Sequence, residues 1–173
     1  MKKAINLMIK ISFVIYILVL FIILFLGSRG RWEHFSILEY AALQMNLVPF
    51  KTIALYVRAM MRETINPDIA IANLLGNFLL FMPMGVYLPM FFRKIRSLLD
   101  YLLYMIPVLS LVELVQLLTK RGSFDIDDLI LNLAGAVLGF WIWKSEPIQK
   151  IFKKIIMNNY FMQEEKRCTP WKN

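Results

Sequence analysis

The sequence predicts an all-α, polytopic membrane protein with about four transmembrane helices, an outer interfacial helix and an inner amphipathic tail helix. Three observations lead there. First, the long runs Ile11–Ser28, Ile69–Phe92 and Leu129–Trp143 carry no charge, and Tyr101–Thr119 carries only Glu113. A helix needs about 20 apolar residues to cross hydrocarbon. Second, 59% of the 173 residues are apolar and the mean hydropathy is +0.59, above what a soluble domain of this length carries. Third, basic residues collect between the runs. With both termini inside, thirteen Lys and Arg fall on inner segments and seven on outer ones, the bias that orients membrane proteins. The net charge of +8 is thereby a topology signal. So little soluble surface remains that nucleic acid is excluded as a partner. One cysteine, Cys168, excludes an internal disulfide, and a single Cys with a single His excludes a zinc site of that type.

The chain divides into an N-terminal transmembrane helix over residues 1–28, an outer segment over 29–68, a three-helix core over 69–144 and a basic inner tail over 145–173. The first run is too long, and its end too poor in small residues, for a cleaved signal, so it is expected to be retained. In the outer segment Lys51, Arg58 and Arg62 share one helical face, with Ile53, Tyr56, Val57 and Met60 opposite. That pattern predicts a helix over Lys51–Ile65, lying in the interface or packed on the bundle. His34, the one histidine, is expected to be an exposed loop residue. Asn73 and Asn77 share a face of the second span, and Pro83 with Gly85 predicts a kink. Glu113 and Gln116 share a face of the third span, Glu113 lying about 9 Å below Thr119. The fourth span, Phe124–Trp143, opens on Asp125, Asp127 and Asp128. Asp125 suits an N-cap, with Asp128 at the capping-box position. Asp128, Asn132, Gly135 and Gly139 form one stripe whose glycines admit a neighbouring helix closely. Trp141 and Trp143 are expected to anchor the inner interface. Ile148, Ile151, Phe152 and Ile155 form the apolar face of a tail helix with lysines elsewhere. The last dozen residues are expected to be loose.

The depths coincide. Amides and carboxylates from three spans come to one level, about 5–12 Å below the outer surface, and Lys120 and Arg121 in the adjoining loop are expected to supply counter-charge. Ionisable groups in hydrocarbon are costly unless paired and mark function by default. Such a cluster suits a polar headgroup. It also suits a divalent cation as candidate cofactor, with Glu113, Asp125 and Asp128 as hard oxygen ligands. Glu113 as general acid with an aspartate as base is the catalytic variant.

Three blocks give the chain a resemblance. They are N-L-V-P-F-K at Asn46–Lys51, N-L-L-G-N-F-L-L-F-M-P-M-G at Asn73–Gly85, and E-L-V-Q with R-G-S-F-D-I-D-D-L-I-L-N-L-A-G between Glu113 and Gly135. Over Asn46–Trp143 the chain resembles the VanZ-like family of bacterial membrane proteins. Asn77, Pro83, Gly85, Glu113, Gln116, Asp125, Asp128, Asn132 and Gly135 match the family motif, and Asp127 and Arg121 match many members. The resemblance implies an envelope protein of a Gram-positive cell, multi-pass in the cytoplasmic membrane, associated with resistance to glycopeptide antibiotics of the teicoplanin type. Two functional readings stand. One is a binding protein whose outer-leaflet site takes a membrane lipid, a lipid-linked cell-wall precursor or a lipoglycopeptide through Asn73, Asn77, Glu113, Gln116, Arg121, Asp125, Asp127, Asp128 and Asn132. The other is a membrane-embedded hydrolase or transferase acting on a lipid headgroup, with Glu113, Asp125 and Asp128 as acid, base or metal ligands. A homo-oligomer is compatible with either.

Overall fold

The computed structural model describes residues 2–26, 32, 34–92 and 94–155. Met1, Arg29, Arg31, Arg93 and the expected loose end after Ile155, with Cys168, lie outside them. Four helical stretches are long and apolar enough to cross a membrane: Ala4–Leu26, Pro67–Phe91, Leu98–Leu118 and Ile126–Lys144. The chain is a multi-pass, essentially all-α membrane protein.

Helix α1 (Lys2–Phe21) takes in the basic start as well as the first run and ends in a π-helical turn, Ile22–Leu26. The outer segment holds more structure than its pattern announced. A short helix α2 (Ile37–Gln44) opens on a capping box between Ser36 and Glu39. Strand β1 (Met45–Asn46) follows, then helix α3 (Lys51–Met61). The amphipathic helix expected to reach Ile65 stops at Met61. There Glu63 takes a left-handed φ of 53°, and the Thr64 N–H folds back to the Ala59 carbonyl. The ionised Ser36–Glu39 box holds the Glu39 carboxyl below its ordinary range, chiefly through the Ser36 backbone N–H.

The second span is two helices. Helix α4 (Pro67–Leu80) and helix α5 (Met82–Phe91) meet at Phe81. Pro83 has no N–H to give to the Leu79 carbonyl, so the Phe81 N–H takes that carbonyl instead. The Met84 N–H turns to Phe81 O, which leaves Leu80 O free. The Tyr16 hydroxyl of α1 donates to Leu80 O at 2.9 Å. In hydrocarbon a freed carbonyl needs such a partner. Helix α6 (Leu98–Leu118) starts on a capping box between Ser97 and Asp100. Strand β2 (Phe124–Asp125) precedes helix α7 (Ile126–Lys144) and pairs in parallel with β1, Met45 opposite Phe124 and Asn46 opposite Asp125. Helix α8 (Glu146–Ile155) closes the described chain.

Helix α7 is central. It packs along α4 and α5 and against α6. Its stripe of small residues makes this contact. The Cα–H that a side chain would replace on Gly135 points at the Phe78 carbonyl, and the one on Gly139 at the Met82 carbonyl. From α5, Gly85 points at Ala136 O and Phe140 N. Backbones thus touch where side chains would otherwise hold them apart. The apolar core gathers Leu20, Phe81, Met84, Tyr101, Met105, Leu109 and Phe140 around this crossing, with Tyr101 stacked on Phe140 at 4.8 Å. At the far end the pair of tryptophan anchors divides. Trp141 is exposed, whereas Trp143 is buried and meets the ring of Phe152 on α8 edge-on.

The crossing yields a test. Gly135→Ala and Gly139→Ala are each expected to lower stability by about 1–3 kcal/mol, because the added methyl meets backbone. Gly76 has open space around it, so Gly76→Ala is expected to be neutral or stabilising by up to about 1 kcal/mol. Thermal unfolding in detergent, followed by circular dichroism, reads both.

Candidate functional site

The polar residues of α6 and α7 and of the loop between them lie at one end of the bundle, and the outer segment is fastened over them. The fastening begins with the aspartates. Helix α3 starts from Phe50, which has a left-handed φ of 64° and no side-chain oxygen with which to cap. Asp127 of α7 caps it instead. One oxygen accepts the Phe50 N–H at 2.5 Å; the other accepts the Thr52 N–H at 2.7 Å and the Ile53 N–H at 3.1 Å. A helix start exposes such unpaired donors and favours negative charge. Asp127 is fully buried.

Asp125 adds a second fastening. Its Oδ2 accepts from the Thr52 hydroxyl at 2.6 Å, and its Oδ1 accepts from Asn46 Nδ2 at 3.0 Å. Asn46 Nδ2 also donates to Thr52 Oγ1 at 3.0 Å. Within its own helix Asp125 is the expected N-cap, but the N–H it accepts belongs to Asp127 at 2.9 Å. Asp128 is therefore no partner in a capping box. Its carboxylate turns into the bundle and accepts from the Asn77 side-chain amide of α4. The outer segment is tied at two more points, by the Tyr40 hydroxyl to Gly122 O at 2.8 Å and by the Lys120 ammonium to Phe35 O at 2.5 Å.

Glu113 lies beneath, 3% exposed, and its Oε2 accepts the Asp125 N–H at 3.5 Å. Asn132, one turn below Asp128, is also buried, and its Oδ1 has no hydrogen-bond partner among the described residues. Burial first, then the charges of Asp128 and Asp125, push the Tyr56 hydroxyl of α3 above its ordinary range. Glu113, Asp125, Asp127, Asp128 and Asn77 therefore come together, with Asn132 buried one turn further along α7.

Four other expected members do not join them. Asn73 is exposed on α4. Gln116 points to the first helix, where its amide donates to Leu24 O at 3.1 Å in the π-helical turn. No ion pair joins Lys120 or Arg121 to Glu113, Asp125, Asp127 or Asp128, so the expected counter-charge is not delivered by that loop. Among the described residues no three acidic, His or Cys side chains are grouped to hold a metal ion. The donor set explains this, since the oxygens of Asp125 and Asp127 face N–H and O–H donors. His34 lies in an exposed turn.

Sequence reasoning passed over Asn46, Thr52 and Tyr56. Asn46 stands in the N-L-V-P-F-K block, the one available signal. Thr52 has no pattern of its own, and the pattern of α3 places Tyr56 on its apolar face. The fastening leaves a groove of about 580 Å³ between α2, α3 and the β2 strand. Asn46, Thr52, Ser123 and Asp125 give it polar lining, Leu43 and Leu55 apolar lining, and Lys51 and Arg58 reach it from α3.

If the groove is held by the Thr52–Asp125 bond, Thr52→Val and Asp125→Ala must be coupled. A double-mutant cycle on unfolding in detergent is expected to show about 1.5–3 kcal/mol of interaction, the range for a hydrogen bond to a charged group. Additivity within about 0.5 kcal/mol contradicts the fastening.

Comparison with curated proteins and with solved structures finds no match. A family model described as VanZ/LLP1 matches residues 13–153. That range takes in α1 from Phe13 onward, the outer segment, the core and most of α8, and with it every polar residue of the site. The chain is a member of the VanZ/LLP1 family.

Proposed function

We propose that this VanZ-like membrane protein binds an amphiphile in the groove between α2 and α3, its head against the polar lining and its tail toward the bilayer. One observation supports the reading above others. The groove combines polar residues from β1, α3 and β2 with the apolar Leu43 and Leu55, which stay exposed at 61% and 65%, at one end of a membrane-spanning bundle. Pockets for small molecules pair apolar walls with a few placed polar groups in this way. With both termini in the cytoplasm, as the basic residues favour, the groove opens on the outer leaflet. A lipid-linked cell-wall precursor or a teicoplanin-type lipoglycopeptide has the required form, and sequestering either one accounts for resistance in a Gram-positive envelope. Asp125 and Asp127 hold the groove together; from inside the bundle Glu113 accepts the Asp125 N–H, and Asp128 ties the same end of α7 to Asn77.

Purified wild-type protein is expected to carry an amphiphile identifiable by mass spectrometry and to lose it on Asp128→Ala, while Glu113→Gln keeps part of it. Expression in a susceptible host is expected to raise tolerance to teicoplanin more than to vancomycin. Turnover of a purified lipid that needs a divalent cation and vanishes with Glu113→Gln contradicts binding alone and favours the hydrolase or transferase. Unchanged tolerance to both drugs removes the antibiotic from the reading.

A further inference from the structure

The geometry points to Lys51 and Arg58 as the residues that grip the ligand's head, and to that head as a net-negative phosphate ester carried by a lipid. This rests on the amphiphile reading above and assigns the chemistry of its head.

The acids were the expected head-binding groups, but those nearest the groove already have their oxygens occupied by donors of the protein. Asp127 spends both oxygens on three backbone N–H groups. Asp125 spends both on Asn46, Thr52 and the Asp127 N–H. A ligand in the groove therefore meets a carboxylate already supplied with donors, beside two cations. Lys51 and Arg58 are exposed, line the groove and form no ion pair with Glu113, Asp125, Asp127 or Asp128. They stand two turns apart on one face of α3, about 10 Å along the axis, and their long side chains close that gap onto a common anion. Arginine binds phosphate oxygens through a planar fork and lysine as a point charge.

The surroundings specify a lipid as the carrier. Besides Leu43 and Leu55, the large side chains of Leu47, Val48 and Phe50 are exposed next to the groove at 60%, 58% and 63%. At the end of a membrane bundle such side chains enter the acyl boundary. Cations on a helix so flanked draw anionic lipid from the leaflet. A cationic head is repelled there, and a neutral head leaves both charges unmatched.

The test uses the full chain in mixed micelles with dioleoyl phosphatidylglycerol and dioleoyl phosphatidylcholine at equal concentration, bound lipids being counted by native mass spectrometry. Wild type is expected to prefer phosphatidylglycerol. Lys51→Gln and Arg58→Gln are each expected to weaken that lipid by about fivefold and the double variant by roughly 25-fold, at about 1 kcal/mol per basic residue, with phosphatidylcholine unchanged. Exchanging the two residues by Lys51→Arg and Arg58→Lys is expected to keep the preference. Arg62 is exposed on the same chain segment but does not line the groove, so Arg62→Gln is expected to have no effect. An undiminished preference in the double variant, or an equal loss in Arg62→Gln, overturns the assignment of Lys51 and Arg58 and leaves the amphiphile reading standing. Retention of neither lipid by wild type overturns the amphiphile reading as well.

Discussion

Three backbone N–H groups at the start of α3 converge on one carboxylate that solvent does not reach. Asp127 lies 74 to 77 residues along the chain from the donors it accepts, yet it does the work that a serine or aspartate at the cap position does for most helices. Phe50 cannot do so, and Pro49 just before it brings the chain into a turn. Leaving such donors buried without a partner costs about 1–3 kcal/mol each, which is enough to keep α3 folded down. The neighbouring bonds from Asn46, Thr52 and Tyr40 align with this one, and the two-residue pairing of β1 with β2 sets their register. The groove exists because the outer segment is held down at all of these points.

The same economy governs the bundle. In hydrocarbon, a backbone carbonyl released from a helix has no water to turn to. One is released at the Phe81 break, where Tyr16 donates to the Leu80 carbonyl, and in the π-helical turn of the first span Gln116 donates to the Leu24 carbonyl. Gly85, Gly135 and Gly139 bring α7 into backbone contact with both α4 and α5. That contact puts Asp128 within reach of Asn77. Packing, carbonyl satisfaction and the polar cluster therefore depend on one another.

Much of this was legible in the residues. Uncharged runs gave the four spans, because the length of an apolar helix is dictated by the bilayer. The glycine stripe gave the face of α7 that a neighbour covers. Pro83 gave the break in the second span, although the break falls two residues earlier, at Phe81, where the missing donor is felt. Asp125 read correctly as an N-cap, but Asp128 was assigned to the same local box and instead serves a contact 51 residues away. Depth and a shared helix face group Asn73 and Gln116 with the acids, and for Gln116 the family motif does so too, but none of these says to which neighbour a side chain turns. The outer segment was least legible. A two-residue parallel pairing has no periodicity, and nothing local tells Thr52 that an aspartate from the fourth span will face it. The capping role of Asp127 is hidden for the same reason: its partners belong to another helix.

Hydrogen–deuterium exchange at the amides of Phe50, Thr52 and Ile53 tests the cross-chain cap most directly. In wild type these amides are expected to exchange slowly. In Asp127→Ala they are expected to lose protection while the amides in the middle of α7 keep theirs. Equal protection in the two proteins contradicts the cap and, with it, the origin of the groove.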